Sequence, residues 1–187
     1  MIKTRADLSC YLKEDLARFG HLPQLKDWIL RNERWYIWQY IKSLRYVEYY
    51  INNNKKNHPF FLFWWFRYKR LGFKLRYTVY PNTCGKGLMI YHTGDLIFIK
   101  RAAKLGDHCT LRPGVVIGNK HGEGEGDMPV EVGNNVEFGL GVRVFGKITI
   151  GDNVTIGANS VVTKDIPSGV IAGGVPAKII KSSIQSC

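Results

Sequence analysis

The stretch 130-VEVGNNVEFGLGVRVFGKITIGDNVTIGANSVV-162 carries an apolar residue at every sixth position: Val132, Phe138, Val144, Ile150, Ile156 and Val162. Upstream the same count runs through Ile99, Leu105, Leu111 and Ile117, then breaks before Val132 for a 15-residue interval, three residues longer than two repeats. Four residues after most of these stands a second small or branched residue: Cys109, Val115, Val136, Val142, Ile148, Val154 and Ser160. A glycine often follows the apolar residue directly, as at Gly106, Gly118, Gly133, Gly139, Gly151 and Gly157. A helix repeats every 3.6 residues and a half-buried strand every two, so neither writes this pattern. Short strands joined by tight turns, three to a coil, do write it. Each side of a triangular prism then points one apolar residue inward, and each coil covers the last. Asn134, Asn135, Asn153 and Asn159 suit corners that need positive φ.

The chain has 187 residues, 45% of them hydrophobic, which bounds it to one full core or two small domains sharing an interface. The longest apolar run, "PFFLFWWF" (59–66), is far short of the ~20 residues that span a bilayer and meets Arg67, Lys69 and Arg70. The opening "MIKTRADLSCYLKEDL" reaches charged residues before a secretory leader could form. Cys10, Cys84, Cys109 and Cys187 lack paired spacing, which fits reduced thiols and predicts a cytoplasmic protein. The net charge of +12 is uneven: residues 1–80 hold 16 Lys/Arg against 6 Asp/Glu, and residues 81–187 hold 11 against 9. Twenty of the aromatic residues precede residue 81 and four follow it. Two regions with different tasks meet near Pro81.

The first region reads as helical. Thr4-x-x-Asp7 has the form of a capping box, and the helix it opens stops at Gly20. "LPQLKDWIL" is a second helical piece, and "NERWYIWQYIKSLRYVEYYI" a third, with Ile37, Ile41, Leu44 and Ile51 at helical spacing. "NNNKKNHP" breaks the chain before "FFLFWWFRYKRLGFKLRY". These aromatics have two readings: a core where helices pack on the first coil, or a peripheral membrane contact through residues 59–76, with rings in the interface and Lys/Arg toward anionic lipid. No nucleic-acid-binding module is visible, and no nucleic-acid partner is expected.

"IGDNVTIGANSVVTKDIPSGVIAGGVPAKII" (150–180) resembles the end of a hexapeptide-repeat acyltransferase built on a left-handed β-helix. With the N-terminal helices, "GLMIYHTG" (87–94) and "GGVPAKII" (173–180), the chain resembles the serine O-acetyltransferase branch. It resembles still more the relatives that O-acetylate sugars in surface-polysaccharide pathways. The resemblance implies an α+β protein: an N-terminal α-helical domain (1–80), then a left-handed parallel β-helix of hexapeptide repeats (81–181). An extruded loop is expected at about 118–131 and a tail at 182–187. It also implies a homotrimer that uses acetyl-CoA, with no metal.

Acetyl transfer from a thioester to an alcohol needs a base for the hydroxyl proton and a holder for the oxyanion. By the resemblance His92, after Gly87-Leu88-Met89, is that base; a half-buried histidine bonding a neighbouring coil is the alternative. Departures from the serine enzymes' pattern surround it. Tyr91 stands where they carry a serine-binding aspartate, Tyr77-Thr78 where an aspartate orients the imidazole, and Asp127-Met128 where an Arg-His pair is expected. The loss of an anion for the amine and a cation for the carboxylate favours a sugar hydroxyl over serine. A non-catalytic trimeric scaffold that docks on a membrane or partner is a third reading. Acceptor contacts are expected from Tyr91, Asp95, Asn119 and Asp127, with His121 either assisting catalysis or simply solvated. Asp95 is the acid nearest His92 in sequence. For CoA, small residues at Gly139, Gly141, Gly157 and Ala158 would let the pantetheine arm lie along the backbone. Lys178 falls where the family places a basic residue near the phosphates, and Lys164 and Lys181 are weaker candidates. His108 reads as a structural corner residue. The spacings between His92, His108 and His121 do not suit the zinc sites of carbonic anhydrases built on the same coil. No Gly-rich phosphate loop precedes residue 81, which argues against a nucleotidyltransferase.

Overall fold

The computed structural model describes residues 1–20, 24–119 and 129–182. Helices α1 (Arg5–Ala17), α2 (Leu25–Ile29), α3 (Glu33–Asn52) and α4 (Pro59–Leu75) come first. The strands follow in chain order: β1 (Tyr77–Val79), β2 (Met89–Ile90), β3 (Ile97–Ile99), β4 (Lys104–Leu105), β5 (Thr110–Leu111), β6 (Val116–Gly118) and β7 (Val130–Val132). The series continues with β8 (Glu137–Phe138), β9 (Arg143–Phe145), β10 (Ile148–Ile150), β11 (Thr155–Ile156), β12 (Val161–Val162), β13 (Val170–Gly173) and β14 (Lys178–Ser182). They form three parallel faces. Face one is β1-β3-β6-β9-β12, face two β4-β7-β10, and face three β2-β5-β8-β11-β13 with β14 added antiparallel. The chain is thus α+β, with its strands wound into a parallel three-sided coil.

All ten apolar positions of the six-residue count are buried, as are the seven second positions from Cys109 to Ser160. One coil is 18 residues, the separation of the partners Phe98 and Val116 or Arg143 and Val161. Val116 pairs with Arg143 instead, 27 residues on. The 15-residue interval after Ile117 is therefore one repeat plus nine residues, not two repeats plus three, because Ile117 and Val132 lie on adjacent faces. The corners take the left-handed conformation at Asn135, Asn153 and Asn159 (φ 55–57°). Asn134 is different: its side-chain oxygen accepts from the Asp107 amide on the preceding coil at 2.8 Å.

Thr4 and Asp7 form the expected capping box of α1. The inner face of α3 buries Ile37, Tyr40, Ile41, Leu44 and Val47. Helices and coil share one core through β1: the Val79 amide donates to the Tyr40 hydroxyl (3.1 Å), and the Tyr68 hydroxyl donates to the Val79 carbonyl (2.7 Å). A buried ion cluster adds a second staple. Arg45 of α3 donates to Asp15 of α1 (2.7 Å), to Glu48 (3.0 Å) and to the carbonyls of Cys84 and Gly85 on the first coil. The aromatic residues divide between the two readings: Phe19, Tyr40, Phe61, Tyr68 and Tyr77 are core, whereas Trp28, Phe60, Phe63, Phe66 and Phe73 face outward. Among the described residues no helix is long and apolar enough to cross a membrane.

Candidate active site

His92 sits on the corner between faces three and one, just after β2, with its side chain 65% exposed. Its backbone is left-handed (φ 55°), uncommon for a residue with a side chain. The buried Tyr77 holds it there by donating its hydroxyl to the His92 carbonyl. Burial, followed by the charge of Glu33, raises the Tyr77 hydroxyl well above its ordinary value, so it remains a donor.

The partner of the imidazole comes from the helical region. Glu33, the first residue of α3, places Oε1 2.7 Å from His92 Nδ1. Its Oε2 accepts from the Thr93 amide (3.0 Å) and hydroxyl (3.3 Å). Asn32 caps α3 by accepting from the Arg34 amide, so Glu33 stands at the positive end of the helix dipole. Partial burial pushes the Glu33 carboxyl up, but the Thr93 amide and the His92 ring outweigh this and hold it below the usual carboxylate range. An ionised carboxylate only accepts, so Nδ1 carries the proton and, in the neutral ring, Nε2 carries the free lone pair. A solvent-facing basic nitrogen with an anchored partner can take a proton from a bound hydroxyl and return it. Asp95 does not supply this anchor; its Oδ1 accepts from the Leu96 amide at 2.7 Å.

Tyr91 flanks the site, its ring 6.2 Å from the His92 ring and 5.2 Å from the Arg112 guanidinium. Arg112 is also bonded to Glu137 through Nε at 3.0 Å. Glu33 thus sets an anion on the His92 ring, and Arg112 a cation on the Tyr91 ring. Glu33 is brought there by the fold from 59 residues away, and no local pattern in the sequence points to that approach.

Gly139, Gly141, Gly157 and Ala158 lie on this same corner, on later coils. Phe138 pairs with Ile156 and Ile156 with Ala172, so Gly139, Gly157 and Gly173 stack in one row. Lys178 of β14 pairs with Gly173 at its end. Coil packing accounts for Gly139, where a Cβ would come within 2.7 Å of the Ala158 nitrogen, and for Gly141, which has φ 68° and abuts Asn159. It does not account for Gly157, where a Cβ would find its nearest atom at 3.6 Å. A row of small residues ending in an exposed lysine suits a narrow polar chain that terminates in phosphates, as CoA does.

Lys164 lies elsewhere, on the corner between faces one and two, beside Asp165, which accepts from the Thr149 amide. Asn119 is at that corner too, its oxygen accepting from Lys100 Nζ at 2.9 Å. His121, Asp127 and most of the expected loop lie outside the described residues. His108 is a coil corner (φ 58°) packed under Gly87. Among the described residues no three His, Cys, Asp or Glu side chains are grouped to hold a metal ion.

No protein-family model matches the chain. It is 40% identical over 99 residues to a serine acetyltransferase of Synechococcus elongatus, covering 53% of this chain and 40% of that protein. It is 42% identical over 96 residues to the Helicobacter pylori serine acetyltransferase, covering 51% and 55%. The match thus spans about half the length of these curated relatives. The serine acetyltransferase of Neisseria gonorrhoeae superimposes over 98% of this chain and 70% of its own, with TM-score 0.75 and 26% identity. A Brucella abortus serine acetyltransferase solved with coenzyme A gives TM-score 0.74 at 24% identity, over 97% and 71%. The fold is that of serine acetyltransferases. None of these names a sugar acetyltransferase, so the preference for that branch is not supported.

Proposed function

We propose that the chain is an acetyl-CoA-dependent O-acetyltransferase with His92 as general base and Glu33 as the residue that positions it. The Glu33–His92 pair, set on the same corner as the Gly157–Lys178 row, carries this reading. His92 Nε2 removes the acceptor hydroxyl proton as that oxygen bonds to the thioester carbonyl carbon. The tetrahedral intermediate then expels the CoA sulfur as the C–S bond breaks, and the imidazolium returns the proton to it.

The acceptor we favour is serine, the one in the relatives' names. Arg112, over the Tyr91 ring, offers a cation for its carboxylate. A sugar hydroxyl is the second reading, favoured by Tyr91 and by Asp127-Met128 where the serine enzymes' pattern has charged partners. We further propose a left-handed coil and a homotrimer. Asn119, with His121 and Asp127 by the resemblance alone, is assigned to the acceptor in this reading. Exposed Leu140, Val175, Ile179 and Ile180 favour trimer packing.

The test is release of free CoA thiol from acetyl-CoA with L-serine and with a panel of sugars and nucleotide sugars. Replacing His92 by Ala should cost ~10²–10⁴-fold in rate. Turnover with serine that is lost with His92 supports the first reading, and turnover only with a sugar supports the second. Turnover that survives His92→Ala overturns the mechanism, and absence of CoA binding overturns the activity.

A further inference from the structure

Helix α4 is apolar on both sides. Its inner side seats Phe61, Tyr68 and Leu75 in the core. Its outer side presents Phe63, Phe66, Arg70 and Phe73 at the same helical spacing, flanked by Phe60 and Leu62. Phe63 is 54%, Phe66 66% and Phe73 91% exposed. Trp28 of α2 joins Phe63 and Phe66 along a groove of about 440 Å³. One exposed apolar side chain is ordinary on a protein surface, but a contiguous group of rings on one helix face marks a contact surface.

The charge around these rings has one sign. From Asn53 to Arg76 the chain carries seven Lys or Arg and no Asp or Glu. The acids of neighbouring elements are engaged elsewhere: Asp27 is buried and accepts from the Gln24 amide, Glu33 holds His92, and Glu48 is buried against Arg45. The cationic side chains lie along aromatic faces, with Lys74 Nζ 4.0 Å from the Tyr36 ring centroid and Lys69 Nζ 5.1 Å from that of Trp65. Such side chains can leave their charged ends at a rim while rings enter an apolar phase.

We propose that this face of α4, with Trp28 of α2, docks the protein on an anionic lipid surface. The phenyl rings enter the headgroup–acyl boundary and the Lys/Arg rim meets the lipid phosphates. A second copy is disfavoured as occupant, because it would set one acid-free basic face against another. Single-stranded nucleic acid matches the charge, but it needs a groove along its backbone with rings for base stacking, and Phe73, the most exposed of these rings, lies outside the groove that Trp28, Phe63 and Phe66 line. The face also borders the His92 corner, since Phe73, Arg76 and Leu96 line a hollow of about 350 Å³ with Tyr77. The docking does not depend on acetyl transfer.

The experiment is flotation of the full chain with vesicles of phosphatidylcholine alone and of equal parts phosphatidylcholine and phosphatidylglycerol, at low and high salt. Binding to the anionic vesicles should exceed binding to neutral ones by at least about tenfold and weaken with salt. It should be lost in Phe63→Ser/Phe66→Ser/Phe73→Ser and in Lys69→Glu/Arg70→Glu. If the first variant fails to fold, the second carries the test. Failure to float with anionic vesicles at low salt, or equal binding to neutral vesicles, overturns the proposal. So does binding unchanged in both variants. Two further outcomes overturn it by naming another occupant: sedimentation showing that these variants break a larger assembly, or binding confined to an oligonucleotide.

Discussion

Glu33 and His92 lie 59 residues apart in the chain, yet Glu33 Oε1 is 2.7 Å from His92 Nδ1. The contact ties the start of α3 to the first coil of the prism and fixes which ring nitrogen faces solvent. Glu33→Gln should lower kcat by roughly ten- to a thousandfold, because an amide can donate to Nδ1 and stabilise the wrong tautomer. An unchanged KM for the acceptor would mark Glu33 as a positioning residue. A raised KM at unchanged kcat would instead mark it as the anchor of the acceptor's ammonium. Because the Glu33 carboxyl lies below its ordinary value in the folded protein, its contribution is present above the unfolded-state value. It is lost only as pH falls through the folded one. Activity should therefore not fall through loss of the Glu33 charge until pH drops below the usual carboxylate range.

Two glycines on the same row separate packing from ligand binding. A Cβ at Gly139 would meet backbone atoms at 2.7 and 2.8 Å, so Gly139→Ala should destabilise the coil by about 1–3 kcal/mol. At Gly157 the nearest atom is 3.6 Å away, and Gly157→Ala should leave the melting temperature unchanged. If CoA lies along this row, Gly157→Ala should nevertheless weaken its binding, as read by calorimetry. Unaltered affinity would move the donor site elsewhere.

The cysteines should differ sharply in reactivity. Burial pushes the Cys84 thiol up to about 12 and the Cys109 thiol up to about 11, whereas Cys10 is exposed. In a Cys187→Ser background, a thiol reagent at pH 8 should modify one cysteine quickly, with the other two reacting only on unfolding. A second fast thiol in the folded protein would contradict the packing of the first coil.

Removing the charge of Arg45 should be costly. Arg45→Met leaves the buried carboxylates of Asp15 and Glu48 without their counter-ion, and the expected loss near neutral pH is ~3–5 kcal/mol in urea unfolding. Burial already raises the Glu48 carboxyl despite Arg45, and in the variant it climbs further. A raised folded-state value confers stability below the unfolded value and loses it as pH rises. The deficit of the variant should therefore shrink toward pH 4 and grow above it.

The prism was legible because its rule is local. A side chain must fill the axis once per strand, and the ten apolar positions from Ile99 to Val162 announce this without reference to any distant residue. The capping box at Thr4 and the periodic face of α3 were legible for the same reason. The aromatic residues of 59–76 were ambiguous, since helical spacing alone does not say which side of α4 meets the core. The extra residues after Ile117 were misjudged because period does not reveal face. Only the pairing of Val116 with Arg143 shows that nine residues were inserted into a single step.

By itself the sequence determined the coil, its corners, the helical cap and the placement of His92 beside a glycine-rich turn. The tertiary structure alone decided what stands around that histidine. Two contacts from distant positions define its surroundings: Glu33 on Nδ1 and Tyr77 on the backbone carbonyl. Each comes from a different helix, strand or coil. A periodic pattern records which residues face the axis; it carries no record of which distant side chains the packing of helices on the first coil will bring together.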